Sequence, residues 1–172
     1  MAPRLAENAA QRLLRRLGPF NPPIDLHEIC RRLGLPIAHE RLGRDVSAML
    51  LRNGERGVIA VNSSHPLVRQ RFSIAHEIGH FLLHKGVYID KVTRVNQRVT
   101  RATIGIDPDE VQANAFAAEL LMPFQLVLRE FTTAVRDGHG EAVLIKRLAS
   151  RFQVSEQAME IRLKVLGALA PF

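Results

Sequence analysis

Apolar positions recur along this chain with two periods, and the change from one to the other outlines its elements. Residues 5–17 read as an amphipathic helix closed by Gly18, after which Asn21-Pro22-Pro23 forms a loop. Asp25 is placed to cap a short helix running through Leu33, with Gly34 just beyond its end. Three short strands are predicted at 36–41, 46–52 and 57–61, the last two joined at Asn53-Gly54. Helical periodicity returns around residues 72–84, where Ile74, Ile78, Phe81 and Leu82 follow the i, i+4, i+7, i+8 rule and make a core-facing stripe. Residues 85–106, with Gly86, Gly105 and alternating Val and Arg, suggest loop with a strand. Further helices are predicted near 108–121, 124–136, 141–152 and 155–166. Few strands followed by many helices give an α+β chain, and 172 residues suffice for one good core with at most a small appendage.

The helix at 72–84 carries a second stripe, His76, His80 and His84. His76 and His80 lie one turn apart, separated by only about 40° around the axis, so both imidazoles can reach one metal ion. Glu77 between them completes His-Glu-x-x-His, in which the glutamate takes a proton from water on the ion, as in zinc peptidases. Gly79 costs a helix interior roughly 1 kcal/mol relative to Ala, which points to something approaching the backbone closely there.

Catalytic zinc usually takes three protein ligands and leaves one position for water. Position 86, where a metzincin would place a third histidine, is Gly. The Cα of His84 lies about 12 Å along the axis from that of His76, so three ligands on consecutive turns would splay around a tetrahedral ion. A role beside the ligands, or a structural one, suits His84 better. Glu110 is a stronger candidate, and it reads two ways. With Asp107 as N-cap and Pro108 as first helical residue it completes a capping box. It also stands one turn from Asn114, so its carboxylate could bind metal while the amide steadies a histidine ligand. Glu119 and Asp90 are rivals for the same role.

The charge is +7, and the excess is concentrated in residues 1–71, which hold 12 Arg and 6 acids. Such a balance suits a nucleic-acid or acidic partner, or equally an arginine-rich solvated surface, since Arg outnumbers Lys 20 to 4. The single cysteine, Cys30, excludes an intramolecular disulfide framework and sits among Leu26, Ile29 and Leu33 as a small buried hydrophobe. No apolar run reaches the roughly 18 residues of a membrane helix, and the first residues lack the apolar core of a signal peptide, so a cytoplasmic chain without membrane attachment is expected.

The run Arg71-Phe72-Ser73-Ile74-Ala75-His76-Glu77-Ile78-Gly79-His80, followed by Glu110-x-x-x-Asn114-x-Phe116-Ala117-Ala118-Glu119-Leu120-Leu121-Met122-Pro123, resembles the ImmA/IrrE family of metallopeptidases. Val58-Ile59-Ala60-Val61-Asn62 and the opening Pro22-Pro23-Ile24-Asp25-Leu26 also fit, so the likeness spans roughly residues 20–125. The resemblance implies a zincin-like small sheet and a gluzincin-like Zn²⁺ site, with His76 and His80 as ligands, Glu110 as third ligand and Glu77 as base. It also implies a protease of the bacterial or phage cytosol that cuts a helix-turn-helix (XRE-type) repressor, derepressing stress or mobile-element genes. A substrate strand is expected on an exposed edge near residues 57–61. Tyr88, His65 and His139 are candidates to stabilise the oxyanion.

Leu148–Met159 resembles a helix-turn-helix, with Ser155 capping the second helix. Two departures stand out: Gln153 occupies a turn position usually Gly, and Arg162 a position usually apolar. Glu156 and Glu160 would place negative charge on the presumed reading helix, which phosphates repel, so direct nucleic-acid binding is the weaker expectation. The division expected is a metallopeptidase unit over 1–136, N-terminal helices included, and a C-terminal helical segment over 137–172. The alternative to a protease is a non-proteolytic regulator that uses the same scaffold to bind a repressor, DNA or a toxin-antitoxin partner.

Overall fold

A computed structural model describes residues 3–84 and 107–169. Helices α1 (Pro3–Leu17) and α2 (Leu26–Leu33) precede strands β1 (Ile37–Glu40), β2 (Ala48–Asn53) and β3 (Arg56–Asn62). Helix α3 (Leu67–Leu83) follows, and α4 (Pro108–Leu121), α5 (Phe124–Arg136), α6 (Glu141–Phe152) and α7 (Glu156–Val165) complete the described chain. This is the expected α+β architecture, a small sheet with helices packed on it. The reading of 85–106 as loop with a strand lies outside the described residues.

Local chemistry accounts for most element ends. Asp25 accepts a hydrogen bond from Glu28 N and caps α2, while Gly34 closes it in the left-handed region. The β2–β3 hairpin turns through Gly54 and Glu55, between the paired Asn53 and Arg56. Gly54 has φ +60° and Glu55 is not among the positive-φ residues, the pattern of a type II′ turn, for which glycine at the first central position is the natural choice. Helix α3 starts five residues before the segment marked by periodicity. Pro66 precedes its first residue, where a missing N–H leaves no helical bond unmade.

The sheet order is β1-β3-β2, with β1 parallel and β2 antiparallel to β3. Ile37, Ile59 and Leu50 align across the three strands, and Val61 faces Ala48. Strand β3 is therefore central, and the expectation of a free strand edge at 57–61 is wrong. Its longer apolar run marks a strand buried between neighbours, not an edge. The free edges among the described residues belong to β1 and β2.

Helices α3 and α4 pack on each other, and α1 covers α4 from another side. Ile74 and Ile78 of α3, Phe116, Leu120 and Leu121 of α4, and Ala6, Ala10 and Leu13 of α1 lie in one apolar cluster with Ile59 and Val61. The same cluster includes Leu144, Leu148 and Phe152 of α6, and Met159 and Leu163 of α7. Cys30 is buried, and that burial pushes its thiol up to about 12.

Candidate metal centre

Gly79 decides how close α4 can come to α3. A Cβ at this position would stand 3.3 Å from the Ala113 Cα and 3.2 Å from the Phe116 ring. With only hydrogen there, the two backbones approach closely, and the first turns of α4 are carried over the histidine stripe. The close approach inferred from Gly79 is thus made by α4.

Three side chains converge as a result. His76 Nε2 lies 3.4 Å from Glu110 Oε2, His80 Nε2 lies 3.3 Å from Glu110 Oε1, and the two Nε2 atoms are 2.9 Å apart. A tetrahedral zinc ion with Zn–N and Zn–O distances near 2.0–2.1 Å has ligand–ligand edges of about 3.3 Å. The two imidazole nitrogens and the Glu110 carboxylate, one oxygen of which faces each ring, therefore stand at spacings close to those of ligands around one such ion. They are the one group of this kind among the described residues. Glu110, read from sequence either as a capping residue or as a ligand, has turned to the histidines; Asp107 caps α4 by accepting from Asp109 N. The neighbouring rings of His76, then His80, hold the Glu110 carboxyl below the usual carboxylate range, so it is charged at neutral pH.

Each histidine is aimed by a further group. His76 Nδ1 lies 3.0 Å from Asn114 Oδ1, the amide one turn after Glu110, which is one of the two arrangements the spacing allowed. His80 Nδ1 lies 3.0 Å from His84 Nδ1, so His84 stands beside the site and not in it. Burial pushes His84 below the ordinary histidine range, although Asp109 pulls the other way. His76, Glu77 and His80 are all buried, whereas the Glu110 side chain is 43% exposed, so the cluster opens to solvent on the α4 side. Glu77 projects from the same side of α3, about 60° from His80 around the axis.

The surrounding loops are pinned by polar bonds. Asn62, fully buried at the end of β3, donates from Nδ2 to the carbonyls of Val46, Gly43 and Leu42 and accepts from Ser64 N, which sets the chain's entry into α3. Arg52 of β2 donates to the carbonyls of Phe81 and His84, closing the C-terminal end of α3, and stacks on the Phe81 ring.

The other candidates part company here. Glu119 is buried against Arg162 and also accepts from Gln11 Nε2 and Phe124 N, so it holds no place in the cluster. His139 bonds Arg147, and His65 sits before α3 with its N–H given to Asn62 O; neither joins the cluster. Tyr88 and Asp90 lie outside the described residues. Two partners escaped sequence reasoning, Asp109 beside His84 and Arg162 beside Glu119. The one available signal for the second was a charge at a position the helix-turn-helix pattern keeps apolar.

In that C-terminal pair of helices, Gln153 takes the left-handed conformation (φ 53°) in place of the usual glycine, and Ser155 caps α7 by accepting from Ala158 N. The exposed face of α7 carries Glu156, Gln157, Ile161 and Val165. Its basic residues are Arg162, buried, and Lys164, paired with Glu160. No single helix among the described residues is long and apolar enough to cross a membrane.

Comparison with known proteins agrees with this geometry. The chain is 26% identical over 119 residues to "Uncharacterized immunity region protein 2" of Bacillus phage phi105, covering 69% of each. It is 25% identical over 146 residues to "Metallopeptidase ImmA" of Bacillus subtilis (strain 168), covering 85% of this chain and 79% of that protein. The sequence model of peptidase family M78, described as the IrrE N-terminal-like domain, matches residues 30–164. That match spans most of the chain, both halves of the donor cluster and the helices that carry them, and the chain belongs to the ImmA/IrrE family of metallopeptidases.

Proposed function

We propose that this chain is a zinc-dependent endopeptidase of the cytosol that cuts a helix-turn-helix repressor. The observation that carries the reading is the triangle of His76 Nε2, His80 Nε2 and the Glu110 carboxylate, with Glu77 on the same side of α3. These three residues would hold the ion, and Asn114 would keep the His76 ring in register. When bound, zinc polarises the scissile carbonyl and acidifies water. Glu77, in a buried setting, is the group that accepts the proton and passes it to the leaving amine. The substrate segment would lie along the outer edge of β2, the strand whose Arg52 is tied to the end of α3, in place of the central β3.

A repressor substrate is supported by the company the chain keeps, a phage immunity-region protein and a metallopeptidase named ImmA. On this reading residues 1–136 form the peptidase unit. Residues 137–172 brace it through Arg162 and present a docking face, since α7 offers little to a phosphate backbone. The test is to incubate the zinc-loaded protein with the repressor-type protein encoded beside its gene and to identify fragments by mass spectrometry. One defined cut is expected. Glu77→Gln should keep its metal and lose cleavage by roughly 10²–10⁴-fold. Full cleavage by Glu77→Gln, or none by the wild type, would defeat the reading; an unchanged regulatory effect of Glu77→Gln in cells would favour a non-proteolytic binder.

A further inference from the structure

The two histidines of the cluster are aimed by different kinds of acceptor. His76 Nδ1 meets a neutral amide oxygen, that of Asn114, at 3.0 Å. His80 Nδ1 meets another imidazole, His84 Nδ1, also at 3.0 Å, and His84 Nε2 lies 3.4 Å from Asp109 Oδ1. His80 and His84 are both buried.

Proton counting leaves one arrangement for a neutral pair. His80 Nε2 is turned to Glu110 and His76 Nε2, so it is the nitrogen that must be bare to donate to a metal, and the ring's single proton sits on Nδ1. That proton can be received only if His84 Nδ1 is bare. The proton of His84 is then on Nε2, which faces Asp109. Every group in the line has one role, and the roles run in one direction from Asp109 to the metal face of His80.

We propose that His84 and Asp109 are positioning residues that lock His80 in its metal-donating tautomer and pass it part of the Asp109 charge. Because Asp109 and Glu110 are adjacent on the first turn of α4, docking of α4 supplies the third ligand and the end of this line in one step. The inference rests on the metal-centre reading above and deepens it.

The test uses the full chain and zinc alone. Affinity is measured by competition with a chromophoric chelator, and tautomers by long-range ¹H–¹⁵N correlation spectra of the zinc-loaded protein. His84→Phe, which cannot accept from His80, should lose about 10–100-fold in affinity, and Asp109→Asn about 10-fold. His84→Gln, whose amide oxygen can still accept, should recover most of the loss. Asp107→Asn removes a charge of the same helix end that acts on His84 only at a distance, and should lose clearly less than Asp109→Asn. The spectra should place the proton on His80 Nδ1 and His84 Nε2. Wild-type affinity in both His84→Phe and Asp109→Asn, an equal loss in Asp107→Asn, or a proton on His84 Nδ1 overturns the proposal. A wild-type chain that binds no zinc, or binds it equally after His80→Ala, overturns the metal centre itself and the relay with it.

Discussion

Helix α4 carries two glutamates, nine residues apart and so on opposite faces, and they have been put to opposite uses. Glu110, near the start, is partly exposed and faces two imidazole nitrogens. Glu119, near the end, is buried and closed against the Arg162 guanidinium, with Gln11 and the Phe124 N–H taking further lone pairs. Burial alone would have nominated Glu119 as the functional group. What separates them is the partner across the interface. A buried carboxylate matched by a cation and satisfied by further donors is a packing device, whereas one held beside two imidazole nitrogens is placed to share a cation with them.

The sharpest way to break this contrast is to remove the carboxylate at each end in turn. Glu110→Ala should lower zinc affinity by at least about 100-fold, read by chelator competition, and leave the fold intact, since its side chain is half exposed. If Glu110→Ala binds zinc as tightly as wild type, the two ends are not different in kind. Glu119→Ala should do the reverse. It leaves buried Arg162 with only the Met122 carbonyl and the more distant Glu7 carboxylate, and should cost about 3 kcal/mol in denaturant unfolding, while folded protein keeps its metal. Adding Arg162→Met should recover much of that stability, because the pair can be replaced by apolar volume.

Two smaller changes sharpen it. Gly79→Ala places a methyl against the Ala113 backbone and the Phe116 ring, which should destabilise by about 1–3 kcal/mol. It should also weaken zinc binding, because α4 carries Glu110 away from the histidines as it yields; an effect on stability without one on affinity would show that the helix contact does not set the site. At the other end, Gln153→Gly relieves a non-glycine residue of φ 53° and should stabilise by roughly 0.5–1 kcal/mol, seen as a higher midpoint with metal affinity unchanged.

Much of this was legible in the linear pattern. The ends of α2, the hairpin between β2 and β3 and the four helices after residue 107 follow from caps, turns and periodicity, all interactions within a few residues. The His76–His80 pairing was readable for the same reason, since helical geometry alone puts both rings on one side. The pairing of Glu110 and Asn114 across to those rings was readable only as one option. Their spacing suits a capping box as well as a ligand and its support, and nothing local chooses between them.

The arrangement of strands shows the limit from another side. The apolar run around Val58–Val61 announces a strand, yet whether it is an edge or a centre depends on β1 returning beside it in parallel, a contact between distant residues. The same holds for Arg162, whose charge in an apolar position is explained by distant partners, above all Glu119, 43 residues earlier and on another helix.

By itself, then, the sequence determined the helices and strands, the histidine pair with its neighbouring glutamate, and the small residue at 79 that lets another backbone come near. Tertiary structure alone decided which acid of α4 meets those rings, that β3 lies inside the sheet, and that Asp109 stands behind His84. The physical reason is range. Caps, turns and one-turn spacings are settled by neighbours along the chain, while a donor triangle of about 3 Å edges exists only once two helices, separated by a long stretch of sequence, have packed at a distance that one missing side chain permits.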